Sequence, residues 1–221
     1  SGYNQYWQEM MFDSEEFIKF KPEIIYIHTN NRNITHYPML SDSREVVDKM
    51  LNTVYKHFSG MWEKAAREYG CIVIQNNFEY PYWRLQGNRE ATDYHGTVNF
   101  ITRLNLMFAE YAQEHHHFYI NDINYLSAKY GLDKWFDPFC WYMYKYCLSM
   151  QAIPVLVNSV ANIIKSLYGK NKKAFALDLD NTLWGGVVGD DGTESLKIGQ
   201  GTPTGECYAE FQKYIKAHRQ L

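Results

Sequence analysis

Residues 23–28 read EIIYIH, a short apolar run that Pro22 precedes and the polar loop TNNRN follows. A β-rich run bounded on both sides by turn residues predicts a buried strand. A long helix is predicted next, over 41–69, because apolar residues recur there at helical spacing and Gly70 stands where a helix would end. Residues 71–75, CIVIQ, predict a second strand. A strand, a helix and a strand in this order indicate a parallel pair.

The same alternation continues on both sides of this unit. Upstream, residues 3–20 are predicted to be helical, with Asp13 as the cap that restarts the helix after a break. Downstream, we predict a helix over about 97–114, a strand over 117–120 and a capped helix ending at Gly131. Two helical stretches in 138–168, separated near Pro154, a strand over 174–177 and a helix over about 203–219 follow. The pattern predicts an α/β fold with a mainly parallel sheet.

Composition excludes several classes of protein. The chain has 221 residues, 46% of them apolar, and a net charge of -3. This is ample material for a buried core, and the charge is too small for electrostatic binding of nucleic acid or an anionic membrane. We expect no membrane-spanning helix, since no run approaches roughly 20 apolar residues, and no signal peptide. Length and a polar turn near 169–173 predict two domains, 1–170 and 171–221.

The four cysteines are Cys71, Cys140, Cys147 and Cys207, and they show no C-x-x-C spacing. Three of them lie among apolar or aromatic neighbours, where a buried free thiol is the simplest interpretation. We therefore expect a reducing, cytoplasmic location, and spacing alone assigns none of the four a catalytic role.

An apolar run meets two aspartates at residues 174–183, AFALDLDNTL. Side chains at the carboxyl ends of parallel strands enter the crevice where ligands bind, and Asp178 would be the last residue of this strand. A carboxylate can attack phosphorus, so Asp178 is the candidate nucleophile. Asp180 can donate a proton to the leaving oxygen and later accept one from water.

The charges of these two aspartates repel each other and a phosphate group. Asp178 and Asp180 are therefore also the predicted ligands of Mg²⁺, a hard cation that prefers oxygen. Asn181 and Thr182 are candidate contacts to the substrate. Three alternatives stay open: an EF-hand calcium loop, a helix-capping turn at 180–182, and a non-catalytic relic of the motif. Leu183 stands where the EF-hand loop needs glycine, which argues against the first of them.

The stretch from residue 172 to residue 221 resembles the opening of the haloacid dehalogenase superfamily, in particular its FkbH-like branch. The match consists of D-x-D-x-T at Asp178, Asp180 and Thr182, followed by WGG and, further on, GQGTPTGE. The resemblance implies a Mg²⁺-dependent phosphatase or phosphotransferase with Asp178 as nucleophile and Asp180 as acid and base.

The same resemblance implies a flap hairpin, and residues 187–196 fit one with Asp191 and Gly192 as the turn. Relatives continue with further motifs that complete the magnesium site. The resemblance therefore predicts that this chain is a fragment of a longer enzyme and is inactive by itself.

The order of elements before residue 170 resembles the N-terminal domain of FkbH-like proteins. That domain has a flavodoxin-like, SGNH-hydrolase-type, three-layer fold, which here would lack its first strand. HTN follows a strand, as the block with the oxyanion-hole asparagine does in SGNH hydrolases, so Asn30 is a candidate substrate contact. In the segment DPFC, Cys140 stands where the D-x-x-H block after Asp137 would need histidine. An SGNH esterase would therefore lack both its nucleophile and its base.

Two functions follow from these resemblances. The first is an enzyme of the FkbH-like type that acts on a phosphorylated small molecule and transfers a glyceryl unit from a bisphosphorylated three-carbon acid to acyl carrier protein. A cysteine nucleophile is used for this transfer in some relatives. The second is a non-catalytic interaction or scaffold module of polyketide or polysaccharide biosynthesis. We expect neither a nucleic acid nor a membrane as partner.

Overall fold

The structure is a computed structural model that describes residues 5–12 and 15–219. The chain divides into two compact units, Ser1–Gly169 and Lys170–Leu221. The predicted helix start at Tyr3 and the predicted cap Asp13 lie outside the described residues.

A three-stranded parallel sheet forms the centre of the first unit. Its strands are β1 Ile24–Ile27, β2 Ile72–Asn76 and β3 Phe118–Asn121, hydrogen-bonded in the order β1-β2-β3. The register pairs Ile24 with Ile72 and Val73 with Phe118. Because the strands are parallel, their carboxyl ends meet at one edge of the sheet. The α/β fold predicted from the sequence is confirmed.

The helices of this unit mostly follow the predicted boundaries. They are α1 Tyr6–Met11, α2 Glu15–Phe20, α3 Arg44–Lys64, α4 Thr97–Glu114, α5 Ile123–Tyr130, α6 Leu132–Trp135, α7 Pro138–Tyr144 and α8 Ile153–Leu167. Ser43 caps α3 by accepting a hydrogen bond from the Val46 amide, and after a π turn Gly70 adopts a left-handed φ of 58°. Pro154, near the predicted separation, lies in the first turn of α8, where proline is tolerated.

An aromatic cluster fixes α3 and α4 on the sheet. The Trp62 ring of α3 lies 4.6 Å from the ring of Phe108 in α4 and 4.3 Å from that of Phe118 in β3. Phe58 and Phe78 complete the cluster and are fully buried. Rings of this size supply much of the apolar area that a core of this kind buries.

The second unit contains the short helix α9 Val188–Asp191 and the longer helix α10 Pro203–His218. The predicted fourth strand over 174–177 is wrong: among the described residues this segment pairs with no strand, and Phe175 and Leu177 are exposed. The apolar pattern is present, but a strand forms only where a neighbouring strand completes its hydrogen bonds.

The predicted flap hairpin is wrong in its details. Residues 187–196 form α9 and a 3-10 turn at Thr193–Ser195 instead of two strands. Gly185 and Lys197, at the two ends of this segment, pair in antiparallel fashion, with N···O distances of 3.0 and 2.8 Å. The segment 185–197 is therefore closed by one pair of backbone hydrogen bonds and contains a short helix between its ends.

Helix α8 belongs to the 18-residue stretch Met150–Leu167, which by length and composition alone could cross a membrane, although we expected no such stretch. Only 11% of it is buried, and a single helix of this kind is weak evidence for a membrane protein. The stretch also contacts the rest of the first unit. Leu156 lies in a buried cluster with Trp135, and the Ser159 hydroxyl donates a hydrogen bond to Asn121 at 2.7 Å.

The substitution Phe108→Ala tests the aromatic cluster. We expect it to lower the free energy of unfolding of the first unit by about 3–5 kcal/mol, because it opens a cavity at a fully buried ring. Phe139, which is 62% exposed, provides the matched control, and Phe139→Ala should change that free energy by less than about 0.5 kcal/mol. Urea unfolding measures both. Equal effects of the two substitutions would contradict the described core.

Candidate functional site

The two aspartates of the D-x-D motif lie in a compact turn of the second unit. Asp178 is exposed, and its Oδ1 accepts a hydrogen bond from the Leu179 amide at 2.8 Å. Asp180 is half-buried, and its Oδ1 accepts from the Trp184 indole at 3.0 Å and from the Val188 amide at 3.3 Å. No hydrogen bond or ion pair of the described residues uses Asp180 Oδ2. One oxygen thus anchors the loop, and the other stays available to a ligand.

The residues after the aspartates explain why the loop closes. Asn181 has a left-handed φ of 53°, and its Oδ1 accepts from the Gly186 amide at 2.9 Å. The amides of Thr182 and Leu183 both donate to Leu179 O, which makes a turn rather than the start of a helix. The capping-turn alternative is therefore wrong.

The Trp-Gly-Gly sequence of this loop also has a steric reason. A Cβ on Gly185 would lie 2.9 Å from the ring of Tyr208 in α10, so any other residue there would have to displace that ring. Of the predicted substrate contacts, Asn181 uses its side-chain oxygen to close the loop. The Thr182 hydroxyl makes no hydrogen bond within the part of the chain that the structure describes.

The donor chemistry of Asp178 and Asp180 fits a hard divalent cation. Neither carboxylate forms an ion pair with lysine or arginine in the described part of the chain. Among the same residues, no group of three or more His, Cys, Asp or Glu could hold a metal ion. Mg²⁺ is commonly bound by one or two carboxylates, with water and phosphate oxygens completing its shell. The carboxylate oxygens of the two aspartates are donors of the kind that such a site uses.

A second group of polar side chains lies in the first unit, at the carboxyl edge of its sheet. Asn76 ends β2 and Asn121 ends β3, and both are fully buried. Asn121 Nδ2 donates to Asn76 Oδ1 at 2.8 Å, and Asn76 Nδ2 donates to Thr29 O at 3.0 Å. A buried amide network with its partners satisfied holds one arrangement firmly.

This network positions His28, the first residue after β1. Its Nε2 lies 3.1 Å from Cys147 Sγ, in the loop between α7 and α8. Its Nδ1 lies 3.0 Å from Asn76 Nδ2 and 3.0 Å from the Tyr26 hydroxyl. The pair joins residues 119 positions apart in the chain.

The tautomer of His28 decides the role of Nε2. An amide nitrogen only donates, so when Nδ1 accepts from Asn76, Nε2 carries the proton and donates to the sulfur. When Nδ1–H instead donates to the Tyr26 oxygen, Nε2 can accept the thiol proton of Cys147. Tyr26 can serve as that acceptor because its own proton is directed to Asn76 Oδ1, 3.0 Å away.

Both members of the pair are neutral near pH 7. Burial raises the pKa of Cys147 to about 12, the charge of Glu79 adds to this, and a hydrogen bond from the Asn30 side chain works in the opposite direction. Packing around the His28 ring lowers its pKa, although one side of the ring is exposed and lines a cavity. The pair is a thiol beside an imidazole.

Cys147 lies between two cavities. The larger has a volume of about 610 Å³, contains His28 and Asn30, and is lined mainly by apolar side chains. The smaller has a volume of about 210 Å³ and contains Arg32 and Glu79. A thiol that lines both cavities can meet two ligands from different sides.

The sequence analysis assigned no role to Cys147 or His28. The position of His28 after a strand was a usable signal, but nothing in the spacing connects it to Cys147. Asn30, predicted as a substrate contact, lies beside this thiol and also caps a 3-10 turn, since its Oδ1 accepts from the Arg32 amide at 2.7 Å. Asp137 of the incomplete D-x-x-H block caps α7 and accepts from the Phe139 amide at 2.9 Å.

Comparison with known proteins places these sites in a family. A solved structure described as the N-terminal part of the protein BF1531 from Bacteroides fragilis, containing a phosphatase domain and complexed with Mg, is similar with a TM-score of 0.85 and 27% identity. The similarity covers 98% of this chain and 56% of that one, so the chain spans about half the length of that relative. No curated protein matches the chain.

A family profile described as the N-terminal domain of FkbH matches residues 1–165, which is most of the chain. This match covers the parallel sheet, its helices and the Cys147–His28 pair. The resemblance to FkbH-like proteins inferred from the sequence is confirmed, and the chain belongs to the family of FkbH N-terminal domains.

Proposed function

We propose that this chain is part of a Mg²⁺-dependent phosphatase or phosphotransferase of the haloacid dehalogenase type that acts on a phosphorylated small molecule. The observation that carries the proposal is the closed D-x-D-x-T loop, in which Asp180 is anchored through one oxygen and keeps the other available. The phosphatase domain and the Mg in the description of the Bacteroides fragilis relative support it.

In the proposed reaction an oxygen of Asp178 attacks the phosphorus of the substrate. The bond from phosphorus to the leaving oxygen breaks, Asp180 donates a proton to that oxygen, and an aspartyl phosphate forms on Asp178. Water then attacks the phosphorus, Asp180 accepts its proton, and phosphate leaves. Bound Mg²⁺ would supply positive charge that offsets the repulsion between the carboxylates and the phosphate.

We propose a second step, acyl transfer through Cys147. The sulfur attacks the carbonyl carbon of an acyl phosphate, the bond from that carbon to the phosphate oxygen breaks, and the thiol proton passes to His28 Nε2. The resulting thioester donates its acyl group to the thiol of an acyl carrier protein, and removal of any remaining phosphate at the phosphatase site leaves a glyceryl unit in the proposed pathway. The 3.1 Å contact between the thiol and the imidazole supports this step.

Beryllofluoride tests the phosphatase site. In the full-length protein with Mg²⁺ we expect it to bind Asp178 as a mimic of the aspartyl phosphate and to give a protein-bound ¹⁹F NMR signal. Asp178→Asn should abolish this signal, because beryllium needs the carboxylate oxygen, and Asp190→Asn, an exposed acid of the same unit, should preserve it. A signal that survives in Asp178→Asn, or no signal in the unaltered full-length protein, would favour the non-catalytic interaction module.

Acetyl phosphate tests the acyl step. Incubation should add one acetyl group to Cys147, which intact-protein mass spectrometry detects and hydroxylamine removes, as it does from a thioester. Cys147→Ser should lose this labile adduct and Cys207→Ser should keep it. His28→Asn should slow its formation by about 10²–10⁴-fold, the usual contribution of a positioned base. The step is refuted if the adduct forms equally well in Cys147→Ser.

The pH dependence of alkylation tests the environment of Cys147. Only the thiolate reacts, and a thiol with a pKa near 12 gains thiolate about tenfold per pH unit below that value. We therefore expect the rate of Cys147 alkylation by iodoacetamide, followed by peptide mass spectrometry, to rise continuously from pH 7 to pH 10. A plateau near neutral pH would show instead that the thiol ionises there.

A further inference from the structure

The smaller cavity beside Cys147 carries an arginine that makes no ion pair among the described residues. Arg32 is exposed, yet its guanidinium carbon lies 5.0 Å from the centre of the Phe136 ring and 4.3 Å from that of Trp141. Such cation–π contacts hold the side chain without occupying its N–H donors. The guanidinium thus keeps its donors available at the wall of the cavity.

The inner wall of the same cavity carries Glu79, which is 4% exposed. Its Oε2 accepts a hydrogen bond from the Asn31 amide at 3.3 Å. Burial raises the pKa of this carboxyl to about 7, and backbone hydrogen bonds and the charge of Arg32 work in the opposite direction. Near neutral pH Glu79 is therefore only partly ionised and cancels only part of the charge of Arg32. In its protonated form it can also donate to a ligand oxygen.

The two cavities differ in size and in the charged residues that line them. The walls of both are mainly apolar, but the larger one, of about 610 Å³, includes Lys145 and Glu9, whereas the smaller one, of about 210 Å³, includes Arg32 and Glu79. A guanidinium recognises phosphate and carboxylate through parallel N–H donors. The smaller cavity matches a short acyl group in size, and its stacked guanidinium can bind the anionic end of that group, which leaves the larger cavity to the acceptor thiol.

We propose that the smaller cavity binds the anionic group of a short acyl substrate and that Arg32 is the residue that recognises it. This inference rests on the proposed acyl transfer through Cys147. Arg32 acts here as a specificity residue that positions the substrate and takes no part in bond making or breaking. The ligand class is a small acid whose acyl group carries a phosphate or a second carboxylate.

Two reagents of similar size and different charge test the inference. The full chain is alkylated at pH 7.5 with iodoacetate, which is negatively charged, or with iodoacetamide, which is neutral. Peptide mass spectrometry gives the ratio of the two rates at Cys147 and, as an internal reference, at the exposed Cys207. We expect the ratio at Cys147 to exceed that at Cys207 by roughly threefold or more, the effect of one accessible ion pair.

Variants with opposite charge changes make the test sharper. Arg32→Gln should lower the iodoacetate-to-iodoacetamide ratio at Cys147 to that at Cys207, and Arg32→Lys should preserve part of the preference. Glu79→Gln should raise the ratio, because it removes the competing negative charge. Arg44→Gln, at the exposed start of α3, removes an equal charge outside both cavities and should leave the ratio unchanged.

The failures of the two proposals are distinguishable. A Cys147 that reacts with both reagents, at a ratio that Arg32→Gln does not change, overturns the anion site and leaves the acyl step standing. A Cys147 that reacts neither with these reagents nor with acetyl phosphate overturns both. If Arg32→Gln does not fold, the unaltered chain provides the test. Inorganic phosphate should then lower the rate of alkylation at Cys147 and leave the rate at Cys207 unchanged. An unchanged rate at Cys147 overturns the anion site.

Discussion

The hydrogen bonds of Asn76 are the constraint on which the first unit depends. This side chain bridges all three strand ends: it accepts from Asn121 at the end of β3 and donates to Thr29 O after β1. Its second amide hydrogen faces His28 Nδ1, which favours the tautomer with the proton on Nε2, whereas the tautomer with Nδ1–H donating to the Tyr26 oxygen lets Nε2 accept the thiol proton. In a fully buried position an unpaired amide is costly, and the bonds among Asn76, Asn121 and Thr29 therefore hold the three strand ends together in either tautomer of His28.

The second unit holds its reactive groups in a different way. No sheet supports the Asp178–Asp180 turn within the described residues; hydrogen bonds from Trp184 and Val188 to one carboxylate oxygen shape it instead. Such a loop fixes the orientation of the Asp180 carboxylate through Oδ1 and leaves Oδ2 available to a ligand. That arrangement suits a site in which the ligand itself brings oxygen atoms and negative charge.

Burial explains the resting state of the Cys147 site. A thiolate and an imidazolium would each lose hydration in this position, so the neutral forms are favoured and the pKa values move apart. A neutral thiol is oxidised and alkylated more slowly than a thiolate. Acylation then depends on a substrate reactive enough to be attacked as the proton leaves, which an acyl phosphate is.

The sequence by itself determined the α/β class, the helix boundaries of the first unit and the D-x-D-x-T loop, because these follow from spacing within a short window. It could not determine whether 174–177 becomes a strand, since that requires a hydrogen-bonding neighbour that no local pattern supplies. Nor could it pair His28 with Cys147. These residues are 119 positions apart, and only the meeting of β1 with the loop before α8 brings the imidazole within 3.1 Å of the thiol.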